Sequence, residues 1–178
     1  MTDCTFCQII SGKKECVKLF EDEKVLAFLH PEPASAGHII VLPKHHYTIF
    51  EQMPDFEIEH IFDIANKLSV AVFDSLNIGG TNIIVNNGVA AGQKIPHFSI
   101  DVIPRQQGDH LNFEWLPKKL NEEEMSTVEL KLKDAASNIG GFQKEEKKAP
   151  VVIEKKEVEK IKLSKEENYM IKQLERIP

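Results

Sequence analysis

The clearest pattern along the chain is the alternation of hydrophobic and polar residues between Pro96 and Arg105. Successive side chains of a strand point to opposite faces, so this run predicts a strand with one apolar and one polar face. The apolar face carries Phe98, Ile100 and Val102 and is expected to meet the core. We expect the polar face to look into a cleft or solvent. Three side chains share it: His97, Ser99 and Asp101.

Other apolar runs, separated by turn residues, predict further strands over 25–29, 38–42 and 82–85. After a turn at 86–88, the alternating run predicts a separate strand over 95–103. Between residues 54 and 76 the period changes to three and four, which predicts an amphipathic helix with Pro54 near its first turn. Leu111, Phe113 and Trp115 alternate and are compatible with one more strand. Short strands around one long helix indicate an α+β fold with a mainly antiparallel sheet.

The character of the chain changes towards its C-terminus. Asn121 followed by Glu124 is a capping-box pattern, and Met125, Val128 and Leu132 form the stripe of the helix that would follow. A mixed lysine and glutamate segment then predicts a solvated linker, and a second capping-box pattern predicts a short terminal helix. The predicted organisation is a domain over 1–118, a helix over 119–141, a charged linker over 142–163 and a terminal helix over 164–178.

Composition narrows the class of protein. The 178 residues are 42% hydrophobic and carry a formal net charge of −6, which allows one domain with a core and an appendage. The acidic balance argues against bulk binding of nucleic acid, and the sequence has no apolar run of membrane-spanning length. Three cysteines without a signal peptide fit a reducing compartment, so a cytoplasmic location is expected.

The spacing of Cys4 and Cys7 would let both thiolates reach one zinc ion. No second CxxC pair follows, so a tetrahedral site would need two histidines. The residues alone leave two readings open, namely a metal half-site or a pair of reduced cysteines without a role. A redox pair is less favoured, because the expected strand before the motif is missing. The candidate histidines are His30, His38, His45, His46, His60, His97 and His110.

Several segments in a fixed order carry a resemblance to a known family. They are Cys4-x-x-Cys7-x-Ile9-Ile10, Val25 to Phe28, Pro33-Ala34-x-x-Gly37-His38, Val41-x-Pro43-Lys44-x-His46, Asn86-x-Gly88-x-x-Ala91-Gly92-Gln93, and His97 to Arg105. Over residues 4–105 the chain resembles the histidine triad (HIT) superfamily of nucleotide-binding hydrolases and transferases. The joint occurrence of these segments is far more specific than any one of them.

The resemblance implies a HIT-like α+β fold, with an antiparallel sheet and a long helix, to which this chain adds a C-terminal helical extension. It also implies a homodimer whose sheets join, and a cleft for a nucleoside monophosphate moiety. Base and ribose contacts would come from the positions of Phe6, Ile9 and Phe28. Phosphate contacts would come from Asn86, Gln93 and the backbone around Lys94 and Ile95.

A subset of the family also binds structural zinc, and the matching positions are all present in this chain. The resemblance therefore implies a zinc site formed by Cys4, Cys7, His46 and His97. Two thiolates and two imidazoles would make a closed tetrahedral site. His45 would point to the opposite face and take no part.

The chain departs from the family motif at three functional positions. Ser99 stands where the resemblance implies a nucleophilic histidine, and Asp101 stands where a third histidine would position the phosphate. His30 replaces the aspartate that would bind the ribose. A serine hydroxyl needs a base, and His38 is the remaining candidate, because His97 would hold zinc and Asp101 is a weak base.

Asp101 also carries an electrostatic cost. A carboxylate about 4 Å from a phosphate oxygen costs on the order of 4 kcal/mol at an effective dielectric of about 20. Phosphate binding would weaken roughly a thousandfold, unless a cation intervenes or the acid is protonated. We therefore predict a nucleotide-binding protein without the hydrolase activity of its family. The alternative is an active hydrolase or transferase with altered chemistry that uses Ser99, His38 and Asp101.

Overall fold

The computed structural model describes residues 4–137. Residues 4–111 lie in one compact unit, and residues 112–137 belong to a second unit. The first unit contains two helices and five strands, in the order α1 (Thr5–Ile10), β1 (Lys18–Glu21), β2 (Val25–Leu29), β3 (Ile39–Pro43), α2 (Asp55–Leu76), β4 (Gly80–Ile84) and β5 (Ile100–Arg105). Single 3-10 turns lie at Phe50–Gln52 and Val89–Ala91.

The five strands form one antiparallel sheet in the order β1-β2-β3-β5-β4. The predicted α+β fold is thereby confirmed. The observed β2 has the predicted bounds, β3 begins one residue later than expected, and β4 begins two residues earlier. The central strands β2 and β3 consist of apolar residues that are almost all buried, which is typical of strands covered on both faces.

Two helices provide hydrophobic surface for this core. The long helix α2 contacts β3, β4 and β5, and its buried residues repeat at helical spacing as predicted. The short helix α1 supplies Phe6 and Ile9 to a separate hydrophobic cluster, which also contains side chains from β2 and β3. Both helices therefore pack apolar side chains against strands of the sheet.

The alternating run that predicted a strand behaves differently in its two halves. β5 begins only at Ile100, because the residues before it leave the sheet and Phe98 N–H donates to the carbonyl of Tyr47 at 2.7 Å. The assignment of His97 to an open polar face is wrong, since its side chain has no exposed surface. Alternation fixes the faces only where neighbouring strands pair, and here pairing starts after Ser99.

The second unit, as far as it is described, contains α3 (Glu122–Ala136). The predicted capping box is present, since Asn121 Oδ1 accepts from Glu124 N–H at 2.8 Å and Glu124 accepts from Asn121 N–H at 3.0 Å. The further strand suggested by alternation over 111–115 does not form. The charged linker over 142–163 and the terminal helix over 164–178 lie outside the described residues. None of the helices between residues 4 and 137 is long and apolar enough to cross a membrane.

Candidate functional site

The structure brings the four predicted metal ligands together. Cys4 is the N-cap residue of α1 and Cys7 lies within that helix. Residues three apart on a helix are neighbours, so both sulfur atoms face the same side. His46 lies three residues after β3, and His97 lies three residues before β5. Segments that are distant in the sequence therefore supply one cluster.

The distances within this cluster fit a single ion. His97 Nδ1 lies 3.6 Å from the sulfur of Cys4 and 3.6 Å from that of Cys7. His46 Nδ1 lies 3.2 Å from Cys7 Sγ and 3.2 Å from His97 Nδ1. Zinc bonds of about 2.3 Å to sulfur and about 2.0 Å to nitrogen imply tetrahedral edges of about 3.3–3.8 Å. The four side chains could therefore hold a metal ion, and two sulfurs with two imidazoles are ligands that structural zinc prefers.

The orientation of His97 supports the same interpretation. Its Nε2 lies 2.9 Å from the carbonyl oxygen of Pro43, so Nε2 carries the proton and Nδ1 turns its lone pair towards the cluster. A hydrogen bond of this kind typically fixes a metal-binding histidine. Burial lowers the pKa of His97, which keeps the ring neutral. Burial also raises the pKa of the Cys7 thiol, so its deprotonation calls for a nearby cation.

A second group, which we call the polar cluster, consists of His30, His38 and Asp101. Asp101 lies opposite Ile40 in the β3–β5 ladder, and His38 immediately precedes β3. His38 Nε2 donates to Asp101 Oδ1 at 3.1 Å, and His38 Nδ1 accepts from the N–H of Ala34 at 3.2 Å. Because both ring nitrogens are engaged and the residue is buried, His38 is fixed in one tautomer.

His30 completes the polar cluster by stacking on His38. The ring centroids are 4.5 Å apart and the planes are nearly parallel, at 17°. His30 Nδ1 accepts from Glu32 N–H at 2.9 Å, which leaves the proton on Nε2. Burial, and then the charge of His38, lower the pKa of His30, and Lys94 adds to this effect. The ring is therefore a neutral hydrogen-bond donor near neutral pH.

In the sequence, Ser99 lies between His97, one of the four metal ligands, and Asp101 of the polar cluster. It is half-buried, directly after the buried Phe98 and before β5. Its hydroxyl makes no hydrogen bond with the residues that the structure describes. The predicted catalytic residues are therefore not arranged as a hydrogen-bonded triad, since His38 is paired with Asp101.

Gln93 holds its own loop together. Its Oε1 accepts from Gly88 N–H at 2.8 Å, and its Nε2 donates to the carbonyls of Thr48 at 2.7 Å and Ile95 at 3.1 Å. The side chain thus joins the beginning and end of the loop that precedes His97 to a second loop after β3. Its amide has little remaining capacity for the phosphate contact expected from the sequence.

The residues expected to contact base and ribose are buried. Phe6 and Ile9 retain 7% and 4% of their surface, Phe28 retains none, and the rings of Phe6 and Phe28 meet edge to face at 6.1 Å. A ligand could touch Phe28 only after these side chains moved. Asn86 is half-buried at the start of the loop that Gln93 holds.

The sequence does not indicate that Asn87 joins two loops by hydrogen bonds. Asn87 Oδ1 accepts from Phe50 N–H at 3.0 Å, and Asn87 Nδ2 donates to Glu51 at 2.8 Å. By itself the Asn86-Asn87-Gly88 sequence indicates only a turn, because the partner segment follows β3 and is far away in the sequence. The bond from Ala34 N–H to His38 was missed for a different reason, because any residue type can supply a backbone N–H.

Comparisons with known proteins agree with this geometry. A family model described as the HIT domain matches residues 11–108. An uncharacterized HIT-like protein of Methanocaldococcus jannaschii is 43% identical over 106 residues, which cover 60% of this chain and 81% of that protein. Adenylylsulfatase HINT3 of Arabidopsis thaliana is 39% identical over 109 residues, which cover 61% of this chain and 55% of the plant protein.

Solved structures show the same relationship. The crystal structure of a zinc-bound histidine triad family protein from Mycobacterium smegmatis matches with a TM-score of 0.60 and 31% sequence identity. The match covers 76% of this chain and 96% of the mycobacterial chain. Fold and sequence therefore point to the same relatives.

Proposed function

The chain belongs to the HIT domain family, and from this premise we propose that it binds a nucleotide beside Ser99 and Asp101 without hydrolysing it. The residues we propose around the ligand are those at the nucleotide-binding positions that the family resemblance implies. They are Phe6, Ile9, Phe28, His30, Asn86, Gln93, Lys94, Ser99 and Asp101. Burial of the aromatic members and the internal bonds of Gln93 favour indirect roles for these residues.

One observation carries the proposed lack of hydrolysis, namely that His38 and His97, the two histidines considered as bases for Ser99, both use their two ring nitrogens elsewhere among the described residues. His38 accepts from Ala34 N–H and donates to Asp101. His97 donates to the Pro43 carbonyl and turns its other nitrogen to the cysteines. A serine hydroxyl is a weak nucleophile without a base. The alternative that uses Ser99, His38 and Asp101 would need His38 to give up both of its bonds.

The name of the Arabidopsis relative makes adenine nucleotides the first substrates to test. Purified protein is incubated with adenosine 5′-phosphoramidate and, separately, with a diadenosine polyphosphate, and products are separated by chromatography. We expect no product above the buffer background, because the nucleophile lacks a base.

The double substitution Ser99→His with Asp101→His is the complementary variant, and we expect it to produce turnover if the remaining cleft is intact. Ser99→Ala is the matched control for the unsubstituted chain. Turnover by the unsubstituted protein that disappears in Ser99→Ala would contradict the proposal and support the altered-chemistry enzyme.

We further propose that Cys4, Cys7, His46 and His97 hold structural zinc and that the chain forms a homodimer. The tetrahedral fit of the cluster supports the ion, and the zinc-bound mycobacterial neighbour supports its identity. The dimer is supported by β4, which forms an edge of the sheet and exposes Ile83. Such edges are usually covered or paired. The thiols required by the site favour the reducing cytoplasm.

Native mass spectrometry of protein never exposed to chelator tests both parts. The expected species has twice the chain mass and carries one zinc ion per chain. A monomer, or less than about one zinc per two chains, would count against the dimer or the ion respectively.

A further inference from the structure

The two cysteines of the four-ligand group lie close enough to bond to each other. Cys4 is the N-cap residue of α1, and its carbonyl oxygen accepts from Gln8 N–H at 3.1 Å, so the helical path already starts there. Helical geometry places Cα atoms three residues apart at about 5 Å, and a disulfide needs roughly 4.4–6.8 Å. The Sγ atoms of Cys4 and Cys7 lie within 4.8 Å of each other. A disulfide between them therefore requires side-chain rotation and little movement of the backbone.

A redox role for this pair does not depend on a preceding strand. The sequence lacks the strand expected before a redox CxxC motif, but the spacing on α1 alone meets the distance requirement. Cys7 is half-buried, whereas Cys4 retains 8% of its surface. An oxidant therefore reaches Cys7 first, and Cys4 is the neighbouring thiolate that resolves the oxidised product.

We propose that a hydroperoxide converts Cys4 and Cys7 into a reversible disulfide and that this conversion releases the zinc. This inference rests on the zinc site proposed above. Zinc keeps both sulfur atoms deprotonated, and the thiolate is the form of cysteine that reacts. A disulfide removes two of the four ligands at once. The two ligands that remain, His46 and His97, do not complete a tetrahedral site.

Hydrogen peroxide is the only oxidant that the conversion needs. The Cys7 thiolate attacks one peroxide oxygen and the O–O bond breaks, which gives a sulfenic acid and one hydroxide ion. The Cys4 thiolate then attacks the sulfenic sulfur, so the S–S bond forms and a second hydroxide ion leaves. Two thiolates lose two electrons in total, and one hydrogen peroxide is reduced to two hydroxide ions.

Cys16 is the remaining thiol of the chain and the competing partner. It packs against the hydrophobic cluster that contains Cys4, but it lies outside the four-ligand group. Burial raises the pKa of the Cys16 thiol, and Cys16 is not among the residues that a metal would keep deprotonated. It should therefore react more slowly with peroxide, which favours a disulfide between the two metal ligands.

Treatment of zinc-bound protein with hydrogen peroxide tests the proposal. The protein is never exposed to chelator before the assay. A chromogenic chelator then follows released zinc, and a sample without peroxide gives the baseline. Free thiols are alkylated, and tryptic peptides are analysed by mass spectrometry. Cleavage after Lys13 and Lys14 leaves Cys4 and Cys7 on one peptide and Cys16 on another.

We expect one zinc ion to be released for each disulfide formed. The peptide that ends at Lys13 should escape alkylation and be lighter by two hydrogen atoms than its reduced form. Dithiothreitol followed by added zinc should restore the starting species, because a disulfide is reversible whereas sulfinic and sulfonic acids are not reduced by a thiol.

Cys16→Ala is the matched control, because it removes the third thiol and leaves all four ligands in place. It is expected to release zinc and to form the disulfide at the rate of the unsubstituted chain. Loss of the disulfide in this variant would place Cys16 in the reaction and overturn the proposal.

The outcomes separate this proposal from the zinc site on which it rests. Zinc that stays bound under peroxide, or that leaves while Cys4 and Cys7 become sulfinic acids, overturns this inference and leaves the zinc site standing. A disulfide that joins Cys16 to either ligand does the same. Protein that purifies without zinc overturns the proposed ion and this inference together.

Discussion

The group formed by Cys4, Cys7, His46 and His97, which we call the metal cluster, and the polar cluster both contain two histidines, but they use them in opposite ways. In the metal cluster, both Nδ1 atoms point at each other and at sulfur, 3.2 Å and 3.6 Å away. In the polar cluster, both Nδ1 atoms accept main-chain N–H bonds, from Ala34 and Glu32. Lone pairs that converge on one point require a cation, whereas lone pairs that are already satisfied require nothing.

Because of this difference, we expect the metal cluster to contribute to stability and the polar cluster to contribute to ligand recognition. The metal cluster can be completed only by an ion, so its contribution to folding depends on that ion. Within residues 4–137, each ring nitrogen and carboxylate oxygen of the polar cluster has a hydrogen-bond partner except Asp101 Oδ2 and the Nε2 donor of His30. We expect substitutions in the first group to act mainly on stability. Substitutions in the second should act on stability less and on ligand preference more.

The largest effect is expected for Cys7→Ala. Loss of one of four ligands opens the site, and the remaining buried ligands lose the charge that compensates them. The variant is expected to purify without bound metal and to lower the melting temperature by more than about 10 °C. Metal analysis and differential scanning calorimetry measure the two quantities.

Cys16→Ala is the matched control for that experiment. Cys16 is half-buried and packs against the same hydrophobic cluster, but it lies outside the four-ligand group. It is expected to keep its metal and to lower the melting temperature by no more than about 4 °C. Equal effects of the two substitutions would mean that the cysteines act by packing alone, which would end the distinction between the clusters.

A smaller loss is expected for His38→Ala. The substitution removes a buried ring, together with the acceptor of Ala34 N–H and the donor to Asp101. Loss of the ring leaves a cavity, and a group left without its partner costs up to about 1–3 kcal/mol of stability. We expect a total loss of roughly 2–4 kcal/mol, with the metal content unchanged. Denaturant unfolding gives the free energy.

His60→Ala provides the comparison, because His60 forms the other histidine–aspartate pair, with Asp22 at 2.7 Å. Its side chain is 35% exposed, so water can replace the bond. The expected loss is below about 1 kcal/mol. If both substitutions lower the free energy of unfolding by the same amount, the hydrogen bonds of His38 stabilise the fold no more than an exposed pair does. His38 would then be available as a base.

The sheet could be predicted from sequence because its signal is local. The bounds of β2 follow from an unbroken apolar run between turn residues, and α2 follows from its helical period. Helix α1 was not predicted, because six residues are too few to show a period. The alternation over 111–115 was misleading, because alternation alone does not make a strand when no neighbouring strand pairs with the segment.

Motif spacing identifies the site residues, but it does not predict their hydrogen-bond partners or their burial. Nothing in the sequence indicates that Ala34 N–H fills one nitrogen of His38, or that Gln93 uses its amide within its own loop. Backbone groups carry no sequence signature, so their bonds to side chains depend on the exact shape of the local turn and, for Thr48 and Gln93, on a loop far away in the sequence. The burial of His97 escaped prediction because its partners lie 51 to 93 residues away.

That separation also sets when the metal cluster can be assembled. Cys4 and Cys7 emerge first from the ribosome, His46 follows, and His97 arrives last. The last ligand can reach the others only after a loop of 93 residues has closed, and such long-range closure is a slow and late event in folding. Full coordination therefore waits for His97, and a nascent chain that ends before His97 would hold at most three of the four ligands.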